Sequence, residues 1–214
     1  MIAVIDYGAG NLRSIRRALE RAGAEVIVTN RPADIAAADG VVLPGVGAAA
    51  HAMDRLHELG LTETIRDVAT SGRPFLGICL GMQLLFGHQE EGDAEGLGLI
   101  PGRVRSLPAS EVKVPHMGWN QSAVINPGPL GDAGEECFYY FVHSYIVEPE
   151  DPAAIAAASS YGEHFPSVVV RDNIWGTQFH PEKSGDDGLA LIERFVVAVN
   201  AGRDDMPVAN RVGA

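Results

Sequence analysis

The sequence predicts an α/β fold, an open, mostly parallel, mixed sheet with helices on both faces. Three observations carry this. Strand-like and helix-like periods alternate through the first half of the chain, the pattern of parallel strands joined by crossover helices. Apolar runs end in glycine-rich turns at Pro44-Gly45-Val46-Gly47 and Gly77-Ile78-Cys79-Leu80-Gly81, at the strand ends where open α/β sheets place ligands. From residue 99 to 171 the pattern changes to short apolar runs divided by Pro, Gly and Asp, which predicts antiparallel additions.

Taken in order, residues 2–6 read as the first strand, 11–22 as a helix capped by Asn11 and stopped near Gly23, and 25–28 as the second strand. Strands at 40–43 and 74–78 follow, with helical stretches at 48–59 and 62–70 between them. Runs at 121–125, 137–142, 154–158 and 167–170 are the expected antiparallel strands, and Cys137 is read as a buried strand residue. A strand at 174–177 and a helix at 186–200 close the pattern, with Asp186 and Asp187 at the helix's positive end. Residues 1–201 are expected to form one domain, and the polar residues 202–214 a flexible tail. Gly8 and Gly10 after the first strand echo a dinucleotide fingerprint, but Arg13 stands where a third glycine belongs.

The chain has 214 residues, 46% of them hydrophobic, enough to bury one substantial core. A net charge of −12 and a pI near 4.9 argue against nucleic acid or an anionic membrane as partner. No run of 18 apolar residues and no basic leader is found, so a cytoplasmic location is expected. The two cysteines suit a reducing compartment, and without a CxxC pair or zinc spacing no metal and no cofactor is implied.

Cys79 lies between two glycines where an apolar strand turns into a helix. Small flanking residues permit a sharp, strained turn that projects a nucleophile from the sheet, and a helix N-terminus favours the thiolate. The same placement also suits a small core hydrophobe. In Gln178-Phe179-His180-Pro181-Glu182-Lys183, a base and a carboxylate stand two residues apart, so in an extended segment Glu182 would orient His180 toward the thiol. A helix-entry loop is the alternative for this run. Backbone amides of the Gly45-Val46-Gly47 loop and of Leu80 would stabilise the oxyanion of an acyl transfer, although a plain strand-to-helix turn has the same composition.

These three segments, in this order, resemble the class I, or triad, glutamine amidotransferases. Within that family, Asp6-Tyr7-Gly8-Ala9-Gly10-Asn11, Val114-Pro115-His116-Met117-Gly118-Trp119-Asn120, Phe141-Val142-His143-Ser144-Tyr145 and His180-Pro181-Glu182-Lys183-Ser184 are similar to the glutaminase subunits of imidazole glycerol phosphate synthase, over residues 1 to about 200. The resemblance implies a flavodoxin-like fold and glutamine hydrolysis through a Cys79 thioester, with His180 and Glu182 as partners. It also implies transfer of the ammonia to a separate (β/α)8-barrel cyclase of histidine biosynthesis, in a heterodimer. It places Gln83 and Glu91 on the glutamine, with Glu90 as the alternative to Glu91, and the backbone of His143, Ser144 and Tyr145 around it. A solvated helix-face role stays open for Gln83. Asn11, Trp119 and Lys183 become candidates for the cyclase interface, with core packing open for Trp119 and an idle surface position for Lys183. A glutaminase for a different synthase, a non-catalytic regulator on the same fold, and a cysteine hydrolase of the peptidase or chaperone type are the other readings.

Overall fold

A computed structural model describes residues 1–127 and 131–204. The alternating half runs β1 (Ile2–Ile5), α1 (Leu12–Arg21), β2 (Val26–Thr29), α2 (Pro32–Ala37), β3 (Gly40–Gly45), α3 (Ala49–Glu58), α4 (Thr62–Thr70), β4 (Phe75–Cys79) and the single turn α5 (Leu80–Gln83). Then come β5 (Phe86–Gln89), β6 (Ala94–Glu95), β7 (Ile100–Ser106), β8 (His116–Val124), β9 (Glu136–His143) and β10 (Tyr145–Pro149). β11 (Ile155–Tyr161), β12 (Glu163–Arg171), β13 (Ile174–Thr177), a 3-10 turn at Pro181–Lys183 and α6 (Gly185–Asp204) complete it.

The larger sheet has nine strands in the order β2-β1-β3-β4-β13-β12-β11-β8-β9. The first five are mutually parallel, and the rest extend the sheet antiparallel. β1, β3, β4 and β13 are buried along their whole length, which is why they read as unbroken apolar runs. Alternation along β1 sends Ile2 and Val4 to the layer of α1 and α6, where Ile15, Leu19, Ile192 and Phe195 pack. Ala3 and Ile5 go to the opposite layer, under Ile35 of α2, Leu56 of α3 and Ile65 of α4. A third cluster, with Tyr139, Phe141, Phe165 and Phe179, fills the antiparallel end.

Several boundaries differ from expectation. α2 was not anticipated: it is six residues long, too short to show a period, although Pro32 marks its start. Nor was the second sheet, β10-β7-β5-β6, whose strands are short or interrupted by glycine and proline. Asn11 occupies the N-cap position of α1 but makes no side-chain cap hydrogen bond; only its carbonyl accepts, from Ser14 and Ile15. Cys137 on β9 is half-buried rather than buried. α6 continues four residues past the expected residue 200, to Asp204, and residues 205–214 of the expected tail lie outside the described residues.

The turn after β4 explains its glycines. Cys79 has φ +55° and ψ −109°, a region L-residues rarely occupy, so the chain leaves β4 by a reversal that stacks α5 onto the strand. A Cβ on Gly77 would stand 2.6 Å from the Gly81 carbonyl oxygen, and one on Gly81 would collide with the Leu43 carbonyl. Backbone lies on both sides, so neither clash is relieved by moving a side chain. Gly81→Ala is therefore expected to lower stability by about 3 kcal/mol in urea unfolding. A loss under about 0.5 kcal/mol, the scale of ordinary surface changes, would show that the turn relaxes freely.

Candidate active site

β4 pairs parallel with β3 on one side and β13 on the other, with Gly45 opposite Cys79 and Thr177 opposite Ile78. Three chain segments distant in sequence thus end side by side. Cys79 is 6% exposed at this edge. Its Sγ lies 3.7 Å from the Val142 carbonyl oxygen and 3.8 Å from Nε2 of Gln178. His180 follows β13 and is held by its backbone, N–H donating to the Tyr140 carbonyl at 3.0 Å and C=O accepting from Ser184 Oγ at 2.6 Å.

Nδ1 of His180 is 2.9 Å from Oε1 of Glu182. A carboxylate only accepts, so Nδ1 carries the proton and Nε2 is the atom left for the thiol. The link between them is not extended as expected. Pro181–Lys183 form a 3-10 turn, which brings the carboxylate under the ring by curling rather than by alternation. Both side chains are essentially buried, and neither Nε2 of His180 nor Oε2 of Glu182 has a hydrogen-bond partner. Desolvation pushes the His180 imidazole down, but the Cys79 sulfur and the Glu182 carboxylate outweigh it and hold it up at about 9. These neighbours favour the protonated ring.

A cleft of about 290 Å³ opens over the thiol. Val46 and Gly47 line one side, and Leu80, the first residue of α5, lies beside the nucleophile with a first-turn N–H. Gly45 sits within β3 next to Cys79, just beneath them. His143, Ser144 and Tyr145 line the opposite side with Val142 and Pro115. Gln83 is 4% exposed, not a solvated helix-face residue. Both of its amide hydrogens are committed, to the Tyr145 carbonyl at 3.1 Å and to Gln178 Oε1 at 3.2 Å, so Oε1 is the atom it can offer a ligand. Glu91 lines the cleft with Oε2 accepting from the Ala49 amide, the first residue of α3, at 2.8 Å. Glu90 instead turns away to the backbone and hydroxyl of Ser106.

The candidate interface residues lie outside the cleft. Trp119 is 59% exposed, which removes core packing as its role. It meets Tyr140 edge-on at 6.3 Å, and Lys183 Nζ stands 5.9 Å over that same tyrosine ring, so the two candidates share one aromatic contact. Asn11 is half-buried at the start of α1 and joins neither by a hydrogen bond among the described residues.

Four residues the sequence reading left without a role belong to this neighbourhood: Tyr7, His116, Tyr140 and Gln178. Tyr7 buries an unpartnered hydroxyl beside Gly45, and desolvation followed by the charge of Cys79 pushes its ionisation upward, leaving a neutral donor. His116 and His143 share a hydrogen bond of 2.9 Å, and His143 Nδ1 is 2.9 Å from the Tyr145 carbonyl. In sequence both lie inside motifs already singled out, but nothing local there pairs one histidine with the other.

Among the described residues no helix is long and apolar enough to cross a membrane, and no group of three His, Cys, Asp or Glu is arranged to hold a metal. Against known proteins, the family model for glutamine amidotransferase class-I matches residues 3–199. The imidazole glycerol phosphate synthase subunit HisH of Desulfitobacterium hafniense (strain DSM 10664 / DCB-2) is 51% identical over 202 residues, 94% of this chain and 95% of that protein. The protein of the same description from Synechococcus elongatus is 51% identical over 206 residues, covering 94% of each. A solved glutamine amidotransferase superposes with a TM-score of 0.74 at 17% identity over 94% of this chain and 100% of that one, a likeness of fold.

Burial holds the ionisation of His116 down to about 4 and, overriding the Tyr145 carbonyl, that of His143 down to about 3. Both titrate near 6.5 when unfolded, so between about pH 4 and 6.5 the unfolded chain binds more protons and stability rises with pH. Each histidine contributes up to about 1.4 kcal/mol per pH unit in that window. His180 has the opposite sign: its contribution is present below 6.5 and is lost as pH rises through about 9. Urea unfolding of His116→Gln from pH 4 to 7 is expected to show a shallower slope than wild type; equal slopes would mean that His116 titrates alike in the folded and unfolded chains.

Proposed function

The chain belongs to the glutamine amidotransferase class-I family, and on that premise we propose that it is the glutaminase subunit of an imidazole glycerol phosphate synthase. The single observation that carries the chemistry is a strained cysteine at the end of β4 beside an imidazole whose other nitrogen is held by a buried carboxylate. The family match over residues 3–199 supports reading residues 1–201 as one catalytic domain.

On this reading the Cys79 thiolate attacks the carboxamide carbon of glutamine in the cleft. Negative charge develops on the amide oxygen and is met by the Leu80 N–H and an amide of the Gly45-Val46-Gly47 loop. Imidazolium His180 passes its proton to the leaving nitrogen, the C–N bond breaks, and ammonia departs from a thioester. Water, with His180 now as base, adds to the thioester and releases glutamate and the thiol. Glu182 holds the ring in one orientation throughout, accepting from its Nδ1–H. Glu91 and Oε1 of Gln83 offer acceptors to the substrate ammonium, and the backbone at His143, Ser144 and Tyr145 closes the other wall.

Ammonia freed into water would be protonated and lose its nucleophilicity, so this chemistry is productive only beside an acceptor. The proposed acceptor is a (β/α)8-barrel cyclase that joins the ammonia to a phosphoribulosyl-formimino aminoimidazole-carboxamide ribonucleotide, yielding imidazole glycerol phosphate and an aminoimidazole-carboxamide ribotide. Exposed Trp119 and Lys183, with half-buried Tyr140 between them and Asn11, are the proposed contacts. The free thiols Cys79 and Cys137 suit a reducing cytoplasm.

Glutamate release is to be measured with this chain alone, with the cyclase, and with cyclase plus its nucleotide. The expected outcome is a large rise in the third case. Cys79→Ser should lower glutamine-dependent synthesis by at least about a thousandfold while ammonium salts still support the cyclase. No rise with a cyclase competent on ammonium would point to another synthase, and retained glutamine turnover in Cys79→Ser would remove Cys79 from the mechanism.

A further inference from the structure

We propose that Gln178 is a further catalytic residue of this site, donating from Nε2 to the Cys79 sulfur, and that His116 on β8 and His143 on β9 are positioning residues that hold the Tyr145 carbonyl from which Gln83 and then Gln178 take their orientation. The proposal rests on the reading of Cys79 as the nucleophile. Its basis is a chain of hydrogen bonds in which every donor is forced by a neighbour.

The chain is anchored at the Tyr145 carbonyl, which can only accept. Gln83 must therefore turn its nitrogen to that carbonyl, and the same nitrogen lies 3.2 Å from Gln178, which must present Oε1 to it. The Gln178 amide then has one orientation left, with Nε2 toward Sγ at 3.8 Å, within reach of the large sulfur atom. From the other side, the Tyr145 carbonyl fixes His143 with its proton on Nδ1, so His143 Nε2 accepts from Nδ1 of His116. Nε2 of His116 accepts in turn from Asn120 Nδ2 at 3.3 Å, on the strand that exposes Met117 and Trp119. Gln178 is fully buried and both histidines nearly so, and the low ionisation of each histidine agrees with neutral rings.

The sulfur has two kinds of neighbour, and they serve different protonation states. The Val142 carbonyl, at 3.7 Å, is satisfied only by the thiol S–H. A Gln178 N–H is of most use to the thiolate, as a charge-assisted donor in a dry site. Gln178 thus shifts the balance toward the attacking form, as a glutamine with its amide reversed would not.

The test is the pH profile of Cys79 alkylation by iodoacetamide in the full chain, on a Cys137→Ser background so that one thiol reports. The titratable groups around the sulfur are Tyr7 after β1, His180 and Glu182 after β13, His143 of β9, and Glu91 and Tyr145 across the cleft; the Gln178 variants leave all of them in place. Gln178→Met, close in shape, is expected to move the profile up by about one pH unit and slow labelling at pH 7 about tenfold. Gln178→Glu should move it further, by placing an anion against the sulfur. His143→Leu should shift it in the same direction, and His143→Asn, whose Nδ2 can replace the Nδ1–H toward Tyr145, should restore it. If His180→Ala shifts the profile but Gln178→Met and Gln178→Glu do not, the assignment of Gln178 is overturned while the nucleophile stands. If His180→Ala also leaves it unchanged, the reading of Cys79 as nucleophile has failed, and this proposal with it.

Discussion

The parallel register at the carboxyl ends of β3, β4 and β13 is the constraint on which the rest of the site depends. Because Gly45 pairs with Cys79 and Thr177 with Ile78, the glycine loop, the thiol and the segment carrying His180 leave the sheet at one level. Burial of these strands on both faces holds that register, since slipping by one residue would exchange the residues facing α1 and α6 with those facing α2 to α4. The strained backbone at Cys79 is then tolerable: the sheet holds it from one side, and the turn of α5, packed where Gly77 and Gly81 leave no room for a Cβ, holds it from the other.

Three buried histidines show how the same desolvation leads to opposite charges. Burial disfavours the imidazolium in His116, His143 and His180 alike. His180 has the Cys79 sulfur on one side and the Glu182 carboxyl on the other, and they reverse the effect. Beside His116 and His143 stand each other, a carbonyl, an amide and aromatic rings, with His116 stacked on Tyr161 at 4.1 Å and on Phe141 at 5.0 Å, and the charge of His180 lowers His143 further. One ring is thus held ready to give up a proton, while the pair nearby serves as fixed neutral connectors.

What could be read from the chain, and what could not, divides along the range of the interaction. The elbow glycines, His180 and Glu182 were legible because their chemistry is local: the carboxylate reaches the ring two residues away, even though by a 3-10 turn instead of an extended link. The alternating first half was legible because strands buried on both faces leave continuous apolar runs. Gln178 and His116 were in view, inside motifs already singled out, but their partners Cys79 and His143 come from other strands, and nothing in their local pattern names those partners. Trp119 stayed open between surface and core until β8 was seen near the end of the sheet, paired with the outermost strand β9. The second sheet was missed because β5, β6, β7 and β10 are short or broken by glycine and proline, below the length at which alternation declares itself.

β8 joins these threads through its period of two. Met117 and Trp119 point to the outside, and His116 and Asn120 belong to the hydrogen-bonded side, so exposed surface and buried chain alternate along five residues of one strand. A strand residue cannot shift alone, because its neighbours share the same pleat and the same ladder to β9, where His116 pairs with His143 and Trp119 with Tyr140. Tyr140 in turn carries the carbonyl that holds the His180 amide. The strand that presents Trp119 is therefore tied to the site by two routes, one of backbone pairing through Tyr140 to His180 and one of side-chain hydrogen bonds through His143 to Gln83 and Gln178. The first route ends on the ring that faces the thiol, the second at the Cys79 sulfur itself.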